Sequence, residues 1–199
     1  SMAAMTEQII AMSIKSLEEQ DTKLARETVE FDSKINEAER EVERICLNLL
    51  LQQQPVFAED LRRVSAALKM ITDIERVGDQ AADIADIVID MNEKLPDQFL
   101  HICKMGLAAM KMVTDSVTAY VNGDLELARQ VIRDDDMVDK LFLKVRGEIL
   151  NAIRDGSNKG EEVLDLFMIT KYYERIGDHA TNIAEWVEYS ITGERSNEN

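Results

Sequence analysis

The chain has 199 residues, of which 45% are hydrophobic and 5% aromatic, with only two prolines and eight glycines. This length suits one domain or two fused units, and the abundance of strong helix formers favours an all-α protein over any class that contains a sheet. The formal net charge of −16 argues against a nucleic-acid-binding protein, because affinity for a phosphate backbone comes mainly from Lys and Arg.

The apolar periodicity predicts six helices in chain order. They are expected at about 3–19, from Asp21 to the Gln54-Pro55 dipeptide, and at about 57–92, 97–121, 124–154 and 161–191. Pro55 is expected to end the second helix, because the residue before a proline disfavours helical backbone angles. The polar tail at 193–199 is expected to be frayed.

No apolar stretch approaches the ~20 residues needed to cross a bilayer, and the N-terminus lacks a signal-peptide pattern. Cys46 and Cys103 lie on apolar helical faces without a CxxC partner, so we interpret them as reduced core residues. These features predict a cytoplasmic protein. The start at Ser1-Met2 leaves open whether the first helix begins before this sequence and whether the chain is a fragment of a longer protein.

The chain contains an internal duplication. The segment 75–79, Glu-Arg-Val-Gly-Asp, recurs 99 positions later as Glu-Arg-Ile-Gly-Asp, and matches to the segment 21–48 recur 103 positions later. Two copies of one supersecondary unit predict two tandem three-helix bundles related by a pseudo-twofold axis. The expected boundaries are 1–93 for the first bundle and 97–192 for the second, followed by the tail.

The duplication repeats a set of acidic side chains. Glu75 and Asp79 are four residues apart and share one helix face. In an antiparallel helical hairpin, residues at equal distances from the turn lie level with each other, which places Asp32 and Asn36 beside them. The same geometry applies to the second copy. Each hairpin is therefore expected to gather four oxygen-bearing side chains, which are Asp32, Asn36, Glu75 and Asp79 in the first and Asp135, Asp139, Glu174 and Asp178 in the second.

Clustered carboxylates without a required His or Cys suit oxygen-preferring metals. The candidate ions are iron, Mg²⁺, Mn²⁺, Ca²⁺ and Zn²⁺, bound singly or as a multinuclear cluster. In one copy alone the pattern is more typical of a solvated acidic helix face, but its repetition on four helices favours metal binding. The second set is expected to bind more tightly, because Asp139 stands where the first copy has Asn36. Gly78 and Gly177, each inside a predicted helix, indicate a close helix crossing or room for an ion.

The segment 49–55, Leu-Leu-Leu-Gln-Gln-Gln-Pro, and the two Glu-Arg-x-Gly-Asp motifs closely resemble the PhoU family, over nearly the whole chain. The resemblance implies two repeated three-helix bundles with metal-binding acidic motifs, from which Asn36 departs. It also implies a regulator of phosphate uptake that represses the phosphate-starvation response. The implied partners are the ATPase of the phosphate ABC transporter, the associated sensor histidine kinase and a second copy in a homodimer, with membrane contact only through partners.

The leading hypothesis is therefore a non-enzymatic regulator, because the sequence offers no nucleophile–base pair, no glycine-rich phosphate loop and no basic groove. One alternative is a PhoU-like regulatory domain of a membrane phosphate transporter. The other is a metal-dependent helical enzyme. Ferritin-like di-iron enzymes, however, use Glu-x-x-His pairs, and neither His101 nor His179 has a Glu three positions before it.

Overall fold

Six α-helices and no β-strand make up the described residues, which are 1–52, 57–91, 96, 99–156 and 160–194 of this computed structural model. The helices are α1 Met2–Glu19, α2 Thr22–Gln52, α3 Ala58–Asp90, α4 Leu100–Asn122, α5 Leu125–Asp155 and α6 Gly160–Thr192. The predicted all-α class is confirmed. Pro55, which was expected to end the second helix, lies outside the described residues, as do residue 97, where the fourth helix was expected to begin, and residues 195–199 of the expected tail. None of the helices described is long and apolar enough to cross a membrane.

Helix caps recur at matching places in the two copies. The Oδ1 atom of Asp21 accepts hydrogen bonds from the amides of Lys23 and Leu24, both at 3.0 Å. Oδ1 of Asp124 accepts one from the amide of Leu127 at 2.9 Å. These side chains satisfy amides that the first helical turn leaves without partners, so α2 and α5 begin in the same way. Gly123 ends α4 in the left-handed conformation, with φ of 65°.

The helices form two three-helix bundles. α1, α2 and α3 pack against one another, as do α4, α5 and α6, and the bundles meet where α3 contacts α6 and α1 contacts α4. A single apolar core runs through both bundles and includes the fully buried Ile84 and Ile176. Because α3 packs against α6, the two helices that carry the Glu-Arg-x-Gly-Asp motifs lie at the interface between the bundles. The boundaries of the two repeats remain a prediction.

Tyr173 of α6 lies at a tight junction between the bundles. Its ring is fully buried, and its hydroxyl lies 3.3 Å from Oγ of Ser13 on α1. A Cβ atom added to Gly106 of α4 would stand 2.9 Å from both the Tyr173 ring and Cγ1 of Ile14. Only a glycine therefore lets α4 come this close to α1 and α6.

Both cysteines are buried and free, which agrees with their interpretation as core residues. Burial, together with the nearby charge of Glu18, raises the pKa of the Cys103 thiol to about 11. That thiol is therefore protonated at neutral pH and is a poor nucleophile.

Candidate functional site

The first cluster, which we define as Asp32, Asn36, Glu75 and Asp79, lies between α2 and α3. Nδ2 of Asn36 donates a hydrogen bond to Oδ2 of Asp32 at 2.8 Å. Burial raises the pKa of Asp32, and the charge of Asp79 raises it further. The structure thus brings these side chains of the two helices into one electrostatic environment.

Glu39 also belongs to this neighbourhood, although the sequence analysis did not single it out. The pKa of Glu75 is raised by burial, then by the charges of Asp79 and Glu39, while Arg76 acts in the opposite direction. Glu39 follows Asn36 by three residues, so it shares the helix face that carries Asp32 and Asn36. That spacing was the signal by which it could have been found.

The second cluster occupies the equivalent place between α5 and α6 and consists of Asp135, Asp139, Glu174 and Asp178. Burial raises the pKa of Asp135 to about 6, and the charges of Asp139 and Asp178 contribute to this rise. Partial burial and the charge of Glu174 also raise the pKa of Asp178, whose side chain still faces solvent. The four side chains therefore repel one another at neutral pH.

Gly78 and Gly177 mark the points where the two helices of each hairpin cross closely. A Cβ atom at Gly78 would lie 3.0 Å from Oδ1 of Asp32 and 3.0 Å from Cδ1 of Ile35. At Gly177 the nearest atom, Cγ1 of Val138, would be 3.3 Å away. The close crossing that the sequence suggested is present in both copies, and it is tighter in the first.

The cations beside the two clusters differ. Arg76 is 59% exposed, with Nε 3.7 Å from Oε2 of Glu75 and Nη1 3.8 Å from Oδ2 of Asp79. In the second cluster, the ammonium group of Lys171 is in direct contact with Oε2 of Glu174. The same ammonium lies 5.4 Å from the centre of the Phe142 ring. The sequence analysis missed Lys171 because the first copy has Thr72 at that position.

His179 forms a contact across the bundle interface. Its Nδ1 lies 2.9 Å from Oδ1 of Asp73 on α3, and Nδ2 of Asn182 donates to the same oxygen at 3.2 Å. The imidazole thus connects α6 to α3, which accounts for its presence without a role as a metal ligand.

The chemistry of both clusters fits a hard cation. Oδ1 of Asp32 is buried and has no hydrogen-bond partner, a costly state that a bound cation would relieve. Burial and repulsion from neighbouring carboxylates raise the pKa values of Asp32 and Asp135. A bound positive ion would offset that repulsion. In their present positions, however, no three or more His, Cys, Asp or Glu residues within the described ranges form a group that could hold an ion. Binding would need side-chain movement, and the ligand assignment stays a prediction.

Comparison with known proteins identifies close relatives. The family described as the PhoU domain matches residues 1–88 and 102–187. The chain is 37% identical to the phosphate-specific transport system accessory protein PhoU homolog of Clostridium acetobutylicum, over 98% of this chain and 89% of that protein. It is 34% identical to PhoU homolog 1 of Thermotoga maritima, over 94% of this chain and 81% of that protein.

Solved structures agree with these sequence relationships. The crystal structure of PhoU from Pseudomonas aeruginosa matches with a TM-score of 0.90 at 30% identity, covering 97% of this chain and 93% of that one. Relatives in this family are named as accessory proteins of phosphate transport and not as enzymes, so the prediction of a non-enzymatic protein is confirmed. From its repeated motifs, its six-helix fold and these matches, we conclude that the chain belongs to the PhoU family.

Proposed function

We propose that the protein is a cytoplasmic, metal-binding regulator of phosphate uptake that represses the phosphate-starvation response. In this proposal it acts as a homodimer by contacting the ATPase of a phosphate ABC transporter and the associated sensor histidine kinase. The observation that carries the proposal is the likeness, over 98% of the chain, to a protein named for its accessory role in phosphate-specific transport.

The metal-binding part of the proposal rests on the two clusters. The proposed ligands come from both helices of each hairpin and are Asp32, Glu75 and Asp79 in the first cluster, with Asn36 as a neutral oxygen donor, and Asp135, Asp139, Glu174 and Asp178 in the second. When bound, an ion would supply positive charge that neutralises carboxylates now held close together. The carboxylates would in return fix α2 against α3 and α5 against α6. Such a contribution to rigidity suits a protein that acts by presenting a fixed surface.

The surface supports a function exercised by docking. The net charge of −16 would steer basic segments of a partner towards the protein. The hairpin ends also expose large apolar side chains, including Leu51 and Phe57 in the first bundle, 74% and 67% exposed, and Leu164 in the second, 60% exposed. Beside Leu164, the α5–α6 hairpin carries a cavity of about 280 Å³ lined by Leu150, Ile153 and Phe167. Apolar groups grouped in this way are typical of sites of protein contact.

Deletion of the gene tests the regulatory role. Without the protein, alkaline phosphatase should be expressed in cells grown at high phosphate, and a plasmid copy should restore repression. Expression that stays repressed in the deletion strain would rule out the role. Affinity capture from phosphate-replete cells should recover the transporter ATPase and the kinase, and sedimentation of the purified protein should give the mass of a dimer.

Calorimetric titration of metal-stripped protein with Mn²⁺ or Mg²⁺ tests the clusters. The double substitution Glu174→Gln and Asp178→Asn should abolish binding at the second cluster, and Glu75→Gln with Asp79→Asn should abolish it at the first. The exposed Glu43 on α2, changed to Gln, is a control that removes a carboxylate elsewhere. Binding that survives both double substitutions would overturn the metal assignment without affecting the genetic test.

A further inference from the structure

We propose that the outward surface of α5 docks an acidic amphipathic helix of a partner protein. We call this surface the α5 face, and its exposed side chains are the basic Lys140, Lys144 and Arg146 and the apolar Leu143, Leu150 and Ile153. The inference rests on the docking part of the proposed function and names the chemistry of one partner. That chemistry is the opposite of the basic segments that the net charge of −16 favours elsewhere on the protein.

The α5 face carries positive charge in a strongly acidic protein. Lys140, Lys144 and Arg146 are all exposed, and the ion pairs formed among the described residues include none of them. Glu148 is the single acidic residue between positions 140 and 153. Its side chain lies towards α4, where Oε1 is 2.9 Å from Nδ1 of His101. The positive charges of the α5 face are therefore available to a negatively charged partner.

The first bundle has the opposite charge at the equivalent positions. The repeat offset of 103 relates the three basic residues to Glu37, Glu41 and Glu43 of α2, which are also exposed. Because α2 forms an equally long helix with acidic side chains at these positions, the fold does not require basic ones. The basic residues of α5 thus point to a contact outside the bundle.

Apolar side chains accompany the positive charges. Leu143 and Ile153 are 61% and 55% exposed, and Leu150 lies between them on the same side of α5. Leu150 and Ile153 also line the cavity of about 280 Å³ that α5 shares with Leu164 and Phe167 of α6. A groove of this kind accepts the apolar side chains that an amphipathic helix presents at positions i, i+3 or i+4, and i+7. An acidic helix would fill the groove and pair with the basic residues beside it.

Two other occupants fit this surface less well. A flat anionic membrane would also meet Asp136 and Asp139, which are exposed on α5 just before Lys140. A second copy could offer its acidic α2, but α2 packs on α1 and α3 whereas α5 packs on α4 and α6, so the two helices lie on opposite flanks. A contact between α2 of one copy and α5 of the next would repeat without closing and would build filaments. A separate protein therefore suits the α5 face best.

Fluorescence anisotropy with a labelled acidic peptide tests the α5 face. The probe is a stapled helix of about four turns, with Leu at positions i, i+3 and i+7 of its apolar side and Glu elsewhere. It should bind the unmodified protein despite the net charge of −16. Replacing all three basic residues, as Lys140→Glu, Lys144→Glu and Arg146→Glu, should weaken binding about tenfold or more.

The control variant reverses three exposed basic residues elsewhere, which are Lys23, Arg26 and Lys104. It changes the net charge by the same amount, and its affinity for the peptide should fall by less than about twofold because distant charges are screened. The first copy carries Glu at the equivalent positions, so the α5 variant should keep its helical circular dichroism. The smaller change Lys144→Gln with Arg146→Gln should weaken binding in the same direction.

Three results would overturn the inference. The first is a peptide that does not bind, or that binds the α5 variant and the control variant equally. The second is binding to phosphatidylglycerol vesicles that the α5 variant loses, which would assign the face to a membrane. The third is loss of self-association in the α5 variant, which would assign it to a second copy. None of these affects the gene-deletion test, and a deletion strain that stays repressed would remove the regulatory role while leaving the peptide measurement unchanged.

Discussion

Asp73 of α3 and His179 of α6 join the two bundles through a 2.9 Å contact between Oδ1 and Nδ1. The repeat offset of 99 relates Asp73 to Tyr172 and His179 to Gln80. The contact therefore has no chemical equivalent on the other side of the pseudo-twofold axis, where the buried Oε1 of Gln80 has no hydrogen-bond partner. The two halves of the molecule therefore place different side chains, with different hydrogen bonding, at the bundle interface.

Asp73→Ala is expected to lower the free energy of unfolding by about 1–3 kcal/mol, because it leaves the part-buried donors of His179 and Asn182 without their acceptor. Urea unfolding of this variant, of His179→Ala and of the double variant gives the coupling between the two side chains. We expect a coupling free energy of about 1 kcal/mol. Strictly additive effects would mean that the contact contributes nothing.

Asp135→Asn is expected to stabilise metal-stripped protein at pH 7. Because its pKa is raised from 3.8 to about 6, Asp135 binds a proton more tightly in the folded protein than in the unfolded chain. Protonated Asp135 therefore contributes stability below pH 3.8, and this contribution is lost as the pH rises to about 6. Asparagine avoids this loss, and because the site is partly solvated we expect a gain of about 1–2 kcal/mol at pH 7 and almost none at pH 3.5.

Thermal or urea unfolding across this pH range measures the difference, with Glu43→Gln as an exposed control. A gain that is the same at both pH values would contradict the electrostatic explanation. In saturating Mn²⁺, Asp135→Asn should instead be less stable than the unmodified protein, since the variant lacks a proposed metal ligand.

Gly78→Ala is expected to destabilise the protein more than Gly177→Ala. Each change gains about 1 kcal/mol of helix propensity. At Gly78 the new methyl group would stand 3.0 Å from both Asp32 and the buried Ile35, which should cost about 1–3 kcal/mol of strain. At Gly177 the closest approach is 3.3 Å, so the change should be near neutral. Equal free energies of unfolding for the two variants would show that the crossings do not differ.

Leu164→Glu is expected to weaken partner capture by about tenfold or more, because it places a charge beside the apolar cavity at the end of the α5–α6 hairpin. Leu164 is 60% exposed, so the free energy of unfolding should change by less than about 0.5 kcal/mol. The matched control is Leu107→Glu, at a residue that is 50% exposed on α4. An equal loss of capture in both variants would indicate a general effect of charge.

Helix caps, turns and hairpin spacing could be predicted from the sequence. The turn between α4 and α5 follows from two adjacent residues. Gly123 adopts the left-handed conformation that ends α4, and the side chain of Asp124 caps the start of α5. Asp135 and Asp178 lie the same number of residues from the turn between α5 and α6. In any antiparallel hairpin such residues lie side by side. Such features depend on few residues close in sequence, so a single sequence suffices to predict them.

The remaining features depend on contacts between elements. The position of the Lys171 ammonium over the Phe142 ring depends on how α6 packs against α5, and a comparison of the two copies hides this lysine because the first copy has Thr72 at that position. The pairing of Asp73 with His179 depends on how the bundles pack, about which a repeat pattern contains no information. The spacing of Glu39 from Asn36 was enough to predict that the two share a helix face. That the charge of Glu39 raises the pKa of Glu75 depends on how α2 packs against α3.

The junction of Tyr173 with Ser13 and Gly106 has a consequence for folding. Its three members come from both copies, so a separated half would expose either the Tyr173 ring or the apolar surface that covers it. Although duplication produced two similar halves, the smallest cooperative unit should be the whole chain. Fluorescence of Trp186 and far-ultraviolet circular dichroism should accordingly report one coincident unfolding transition.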